Sequence, residues 1–213
     1  MGETGADQAG ELRAPGTVEP RTPLVRQRPP AEGPKVRPRR TRKPRSTPAP
    51  RPGWQSLVLR TRHGVDRDCT VLDAGKQQVL HVSSGFFLRS KAEVRRRDRD
   101  GERVFVLRGR VLDLPMEIVI RAADGTRAAR VRAKWRAPLV SPVKVRLADG
   151  TEWETTGSLA KRQYSLVTVD GPVIEVAQKQ VQIRDSCRIE VADDVDPVLA
   201  AAIVWAIDEL LRD

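Results

Sequence analysis

The chain has 213 residues, 39 Lys and Arg against 28 Asp and Glu, and a formal net charge of +11. This length allows one domain with or without a tail. The first ten residues contain no apolar segment of the kind that a secretory signal requires. The longest apolar run, residues 198–207, is half of the roughly 20 residues that a helix needs to span a bilayer. We therefore expect a cytoplasmic protein that reaches a membrane only peripherally.

Residues 1–53 differ in composition from the rest of the chain. They hold 11 of the 16 prolines, 12 basic and 5 acidic residues, and no aromatic residue. Such a segment cannot bury enough apolar surface to offset the entropy of ordering it, so we predict a disordered tail. Its basic residues are densest at six positions: Arg37, Arg39, Arg40, Arg42, Lys43 and Arg45. Residues 54–213 are predicted to form the folded domain, with Trp54 as its first core residue.

Repeated Asp-Gly pairs predict β-hairpins in this domain. The pairs begin at Asp100, Asp124, Asp149 and Asp170, and a looser version occurs at residues 73–75. Asp-Gly favours tight turns because both central residues of a type I′ turn need a positive φ. Segments rich in β-formers surround the pairs at residues 70–72, 79–82, 104–107, 118–120, 143–147 and 164–169. Hairpins at this spacing predict an antiparallel sheet that packs as a sandwich or closes into a barrel.

The C-terminal segment changes from the strand period to the helix period. Asp196 is a favourable N-cap, and Pro197 suits the first helical position, where a missing N–H has no cost. The residues that follow are apolar around nearly the whole helix circumference until Asp208 and Glu209. A helix that is apolar on all sides is buried on all sides. The pattern therefore predicts a central helix over about residues 197–212, threaded through the sheet.

Several short segments follow one another in the order of a known family: residues 100–106, residues 124–134, Gly157 with Tyr164, Arg184-Asp185 with Ile189 and Val191, and residues 206–208. In this set, residues 66–213 resemble the LURP-one-related family, part of the tubby-like superfamily that includes the phospholipid scramblases. The resemblance implies a mainly β fold, a closed antiparallel β-barrel of hairpins around a hydrophobic C-terminal helix. By analogy it also implies a lipid-facing role. Gln180 and Cys187 depart from the pattern, since the family usually has aromatic residues there.

No residue pattern indicates catalysis or a bound cofactor. The two histidines, His63 and His81, have neither a nucleophile signature nor metal-ligand spacing around them. The acidic run of residues 98–102 lacks the ligand series of a calcium loop and is interpreted as a charged hairpin tip. Cys69 and Cys187 have no CxxC spacing and are predicted to be ordinary reduced thiols. We therefore expect a non-enzymatic protein without a metal site or cofactor.

A candidate binding surface comes from alternation in two adjacent strands. Successive side chains of a strand point to opposite faces. In residues 129–136 the apolar Val131, Ala133 and Trp135 point inward, and in the next strand Val143, Val145 and Leu147 do the same. The cations between them point outward: Arg130, Arg132, Lys134, Arg136, Lys144 and Arg146. If the two strands pair, six cations share one outer patch. Of the other tryptophans, Trp205 fits the core, and Trp153 is interpreted as an exposed residue.

These features lead to a first hypothesis of a tubby-like binding domain that meets an anionic phospholipid or membrane surface. The patch would dock on lipid headgroups and the tail would act as an electrostatic tether. An alternative is non-specific nucleic-acid association through residues 21–51, which would neutralise phosphates and release counterions. A further alternative is a scaffold that recruits a protein partner through Pro-rich motifs. The patch can also be a solvated barrel exterior without a ligand.

Overall fold

A computed structural model describes residues 51–61, 68–84, 91–110, 116–133, 142–178 and 186–211. All but the last three residues of the predicted tail lie outside these ranges. The disorder of residues 1–53 and the domain boundary therefore stay predictions. Trp54, predicted as a core residue, is only half-buried, and the Arg51 guanidinium lies 5.1 Å from the centre of its ring.

The described residues form 12 strands and one helix. The elements are β1 (Trp54–Thr61), β2 (Cys69–Leu72), β3 (Gln78–Ser84), β4 (Lys91–Arg96), β5 (Arg103–Arg110), β6 (Met116–Ala122), β7 (Arg127–Ala133), β8 (Lys144–Leu147), β9 (Glu152–Ser158), β10 (Gln163–Thr168), β11 (Gly171–Gln178), β12 (Ser186–Ala192) and α1 (Pro197–Leu210). Each strand pairs antiparallel with its neighbours in the chain, and β1 also pairs with β12. This last pairing closes the sheet, so the predicted barrel is confirmed and none of the 12 described strands is an open edge.

Helix α1 lies inside the barrel, as predicted. Residues 200–207 are at most 3% exposed, and the helix packs against β1, β5, β6, β7 and β12. The physical reason is volume, because side chains fill the interior of about eight strands, whereas 12 strands leave room for a helix. The Asp196 carboxylate accepts a hydrogen bond from the Val198 backbone N–H at 2.8 Å, which confirms the predicted cap. The helix ends at Leu210, slightly before the predicted residue 212.

The Asp-Gly turns are hairpin turns, but the predicted type I′ geometry is wrong. Gly125 and Gly150 have φ values of 88° and 93°, whereas neither preceding Asp has a positive φ. The Gly125 N–H donates to the Ala122 carbonyl at 2.9 Å, and the Ala122 N–H donates to the Thr126 carbonyl at 2.8 Å. These bonds define a three-residue loop whose last residue is left-handed, the position that favours glycine. Asp124 instead accepts hydrogen bonds from the Thr126 N–H and hydroxyl at 2.8 and 2.7 Å.

The acidic run of residues 98–102 forms the tip of the β4–β5 hairpin, as predicted. Asp98 accepts a hydrogen bond from the Asp100 N–H at 3.0 Å, and Arg96 and Glu102 form an exposed ion pair of 3.6 Å. Gly101 is needed here for close approach, because a Cβ atom would lie 1.8 Å from the Arg96 carbonyl oxygen. These carboxylates therefore hold the shape of the turn and keep its surface polar.

The β2–β3 hairpin uses the same three-residue loop with a lysine at the left-handed position. The Lys76 N–H donates to the Asp73 carbonyl at 3.0 Å, and the Asp73 N–H donates to the Gln77 carbonyl at 2.9 Å. Lys76 has a φ of 65°, which strains a residue with a Cβ atom by about 1 kcal/mol or more. The strain is tolerated because the strands on both sides hold the loop.

Replacing Lys76 by glycine should therefore stabilise the protein. Relief of the left-handed strain outweighs the extra entropy of an unfolded glycine, so Lys76→Gly should raise the free energy of unfolding by about 0.5 to 1 kcal/mol. Urea unfolding followed by circular dichroism measures the change. Ala74→Gly in the same loop is the matched control and should lower stability, because Ala74 has no positive φ to relieve. Destabilisation by Lys76→Gly would contradict the assigned loop geometry.

Candidate functional site

Strands β7 and β8 pair in the register that the proposed patch requires. Arg130 lies opposite Arg146, and Arg132 lies opposite Lys144. Neighbouring strands are about 4.8 Å apart, and alternate residues of one strand about 6.7 Å, so these four cations occupy one compact area. We call these four residues the basic face. The two other predicted members of the patch, Lys134 and Arg136, lie outside the described residues.

At the described positions the inward side of these strands agrees with the alternation, and the predicted inward Trp135 lies outside the described residues. Val131, Ala133, Val143 and Val145 are at most 3% exposed, and Leu147 is half-buried. The interpretation of Trp153 as an exposed residue is wrong. Trp153 of β9 lies opposite Val145 of β8 and is 4% exposed, because its place in the strand alternation points it into the barrel.

Carboxylates flank the basic face on both sides, which the pattern of β7 and β8 alone does not reveal. Glu117 on β6 lies opposite Arg132. On β9, Glu154 lies opposite Lys144 and Glu152 lies opposite Arg146. Any anionic ligand must therefore compete with carboxylates of the protein itself. The period-two pattern of β6 and β9 is the signal that identifies these outward residues.

Glu117 bridges Arg130 and Arg132 of β7. Its Oε1 lies 3.3 Å from Arg130 Nε, and its Oε2 accepts a hydrogen bond of 2.6 Å from Arg132 Nε. The side chains of Glu117, Arg130 and Arg132 are 21%, 33% and 50% exposed. The Arg130 Nε atom itself is buried and donates no hydrogen bond within the part of the chain that the structure describes. The carboxylate thus satisfies Arg132 better than Arg130.

Charge is unevenly distributed around the barrel. The consecutive strands β4–β8 contain 12 Lys and Arg and 2 Glu, whereas β9–β12 contain 1 Arg and 4 Glu. We call strands β4–β8 the basic half. The described parts of β1–β3 contain a single Lys or Arg, Arg60 of β1. The net basic charge of the domain is therefore concentrated on adjacent strands, around the basic face.

A cluster of polar side chains is buried at the C-terminal end of α1. Asp208 and Glu209 are 4% and 6% exposed, and Arg162 of the β9–β10 turn brings its Nε within 3.6 Å of Asp208. Burial, then the Asp208 carboxylate, raises the pKa of Tyr164 well above its usual value. The same two causes raise the pKa of the Cys187 thiol to about 12. A buried, protonated thiol is a poor nucleophile.

The described residues contain no cluster of side chains placed to hold a metal ion. His81, predicted to lie in a strand, is in β3 with its Nε2 3.4 Å from an Asp68 carboxylate oxygen, and both side chains are largely buried. His63 lies outside the described ranges. Within those ranges no three His, Cys, Asp or Glu side chains are placed to hold a metal ion. Cys69 and Cys187 are both buried and are not joined in a disulfide.

Comparison with known proteins agrees with this architecture. The sequence profile of the LURP-one-related family matches residues 56–208. The chain belongs to the LURP-one-related family. No curated protein sequence matches it. A solved structure from Arabidopsis thaliana is similar in fold, with a TM-score of 0.55 at 18% identity, over 76% of this chain and 93% of that one.

The family and the barrel fold together support a non-catalytic binding domain. The barrel interior is filled by α1, so binding would use the outer surface or the barrel ends. Among the described residues, no helix has the length and apolar character needed to cross a bilayer.

The chain has one tyrosine, so the buried cluster can be followed by absorbance. In the unfolded chain, thiol and phenol lose protons near their usual pKa values of about 8.5 and 10. Because both pKa values are higher in the folded protein, the stability that each protonated group contributes is complete below its unfolded pKa. This stability falls by about 1.4 kcal/mol per pH unit per group as pH rises from the unfolded pKa toward the folded pKa. We expect the free energy of unfolding to fall from about pH 9 upward.

Alkaline titration with ultraviolet absorbance and urea unfolding tests this expectation. Tyrosinate absorbance should appear only together with loss of the folded circular-dichroism signal. Tyr164→Phe is the control and should keep neutral-pH stability, because the buried Tyr164 hydroxyl has no hydrogen-bond partner within the described ranges. A folded protein whose tyrosine titrates near pH 10 would contradict the buried position.

Proposed function

We propose that this protein is a non-enzymatic binding domain that associates peripherally with anionic phospholipid surfaces through its basic half. The observation that carries the proposal is the concentration of 12 Lys and Arg on five adjacent strands, against 1 on β9–β12. This separation of charge supports an anionic partner over a uniformly solvated exterior. A flat array of lipid headgroups is the kind of partner that one charged side of a barrel can meet.

The expected attraction is moderate and depends on salt. Each Lys or Arg near an anionic cytoplasmic leaflet contributes about 1 kcal/mol, and the attraction decays within a Debye length of about 8 Å at physiological salt. Barrel curvature lets only part of the basic half approach the lipid at once. The flanking Glu117, Glu152 and Glu154 reduce the gain from the basic face. We therefore expect reversible attachment, strengthened by the basic tail at Arg37, Arg39, Arg40, Arg42, Lys43 and Arg45.

A second candidate is non-specific nucleic-acid association through the tail. Residues 21–51 contain 11 basic residues and one acidic residue, a composition that favours phosphate neutralisation with counterion release. The two candidates differ in the residues that they need. Lipid binding through the barrel requires the basic half, whereas nucleic-acid binding follows the tail.

Co-sedimentation of the full chain with vesicles distinguishes them. The protein should bind vesicles that contain phosphatidylglycerol and not those of phosphatidylcholine alone, at about 0.15 M salt. A face variant with Arg130, Arg132, Lys144 and Arg146 changed to Gln should lose most of this binding. A tail variant with the six clustered basic residues changed to Gln should retain a clear part of it. Thermal unfolding of both variants checks that they fold.

Opposite outcomes would redirect the assignment. Loss of vesicle binding in the tail variant, with binding retained in the face variant, would assign lipid binding to the tail rather than to the barrel surface. Absence of wild-type binding to anionic vesicles, with retention of nucleic acid by the intact tail, would favour the nucleic-acid candidate. High salt should release the protein from vesicles in every case, since the attraction is electrostatic.

A further inference from the structure

The bridge made by Glu117 is an anion-binding arrangement already occupied by the protein itself. One carboxylate oxygen lies 3.3 Å from Arg130 Nε and the other 2.6 Å from Arg132 Nε. Two guanidinium groups that converge on one carboxylate also present the geometry that binds phosphate oxygens. The position of the Glu117 carboxylate therefore marks where an external anion would sit on this surface.

The bridge is incomplete on the Arg130 side. Arg130 Nε is buried yet donates no hydrogen bond among the described residues, although a carboxylate oxygen lies 3.3 Å away. A buried donor without an acceptor is costly, and the cost is larger for a charged group. Glu117 uses its second oxygen for the shorter bond to Arg132. A ligand that is not tethered to β6, as the Glu117 carboxylate is, can place an acceptor oxygen at each of the two arginines.

Resting on the proposed function, we propose that the Arg130–Arg132 pair receives a phosphate monoester group, which displaces the Glu117 carboxylate. A monoester offers three free oxygens and a charge of about −1.5 to −2 at neutral pH. A phosphodiester headgroup offers two free oxygens and a single charge. The monoester therefore has a third acceptor for the remaining guanidinium N–H groups of the pair and the extra charge needed to compete with a carboxylate.

The residues across the strand pairing favour the same ligand. Arg146 and Lys144 lie opposite Arg130 and Arg132, so a dianion at the pair is also within the field of two further cations. The Arg146 side chain is 64% exposed and its ion pair with Glu152 is a loose 3.9 Å, which leaves it able to reorient toward a ligand. Glu117 acts as an internal competitor that lowers the affinity for every anion, so only an anion that binds the arginine pair strongly displaces it.

Neutralising this competitor should strengthen binding. Glu117→Gln removes one negative charge beside the ligand, which is equivalent to adding one cation, and should tighten binding to phosphatidic acid vesicles about fivefold. Glu175→Gln is the matched control. Glu175 lies on β11 and forms a 2.9 Å ion pair with Arg51, so its substitution changes net charge equally and also frees an arginine. This control should gain less binding than Glu117→Gln, because Glu175 lies on β11, outside the basic half.

The experiment measures binding of the full-length wild type, Glu117→Gln and Glu175→Gln to two sets of vesicles. One set contains phosphatidic acid, and the other contains phosphatidylglycerol at a matched surface charge. Wild type should prefer phosphatidic acid, and Glu117→Gln should bind both sets more tightly than the control. Glycerol 3-phosphate and inorganic phosphate are tested in parallel as soluble ligands by thermal shift. They identify whether the monoester must be part of a lipid.

The outcomes separate this inference from the proposed function. Equal binding of Glu117→Gln and Glu175→Gln to anionic vesicles would overturn the inference while peripheral lipid association stands. Stabilisation of Glu117→Gln over Glu175→Gln by soluble phosphate monoesters, without vesicle binding, would support the monoester site and overturn the membrane role. Absence of any response to vesicles and to soluble phosphates in all three proteins would overturn both.

Discussion

The structure depends on one packing constraint, the filling of a barrel of 12 strands by the helix α1. Side chains alone fill a barrel of about eight strands, so a wider barrel needs an internal element. Residues 200–207 supply it, with small alanines beside Ile203, Trp205 and Ile207 letting strands approach on every side. The closing β1–β12 pair holds the strand just before the helix against the first strand. The filling of the core by α1 and the closure of the barrel by β12 therefore depend on the same C-terminal part of the chain.

This filled core decides where binding is possible. Inward positions of β5–β8 are used for packing against each other and α1, so ligand chemistry is confined to outward positions and the barrel ends. The polar cluster around Asp208 and Tyr164 at one end is buried, and its raised pKa values oppose ionisation of the phenol and of the Cys187 thiol. The outer surface is where cations are accessible, which is why the proposed function is placed there.

The outer surface combines attraction with internal competition. The basic half provides a long-range field, which brings an anionic surface close without selecting its chemistry. Selection requires a local contact, and Glu117 between Arg130 and Arg132 provides a candidate for it. A family whose members share this barrel can thus differ in ligand through outward residues alone, since those residues carry little of the folding energy.

The sequence by itself determined the strand alternation, the capped apolar helix that begins after Asp196, and the outward position of Arg130, Arg132, Lys144 and Arg146. These follow from periods of two and 3.6 residues, which are local properties of the chain. Only the tertiary structure decided closure through β1 and β12, the turn type at Asp124-Gly125, and the contact of Glu117 with both arginines. These depend on cross-strand register, which loop geometry and bulges set and which a one-residue shift would reverse.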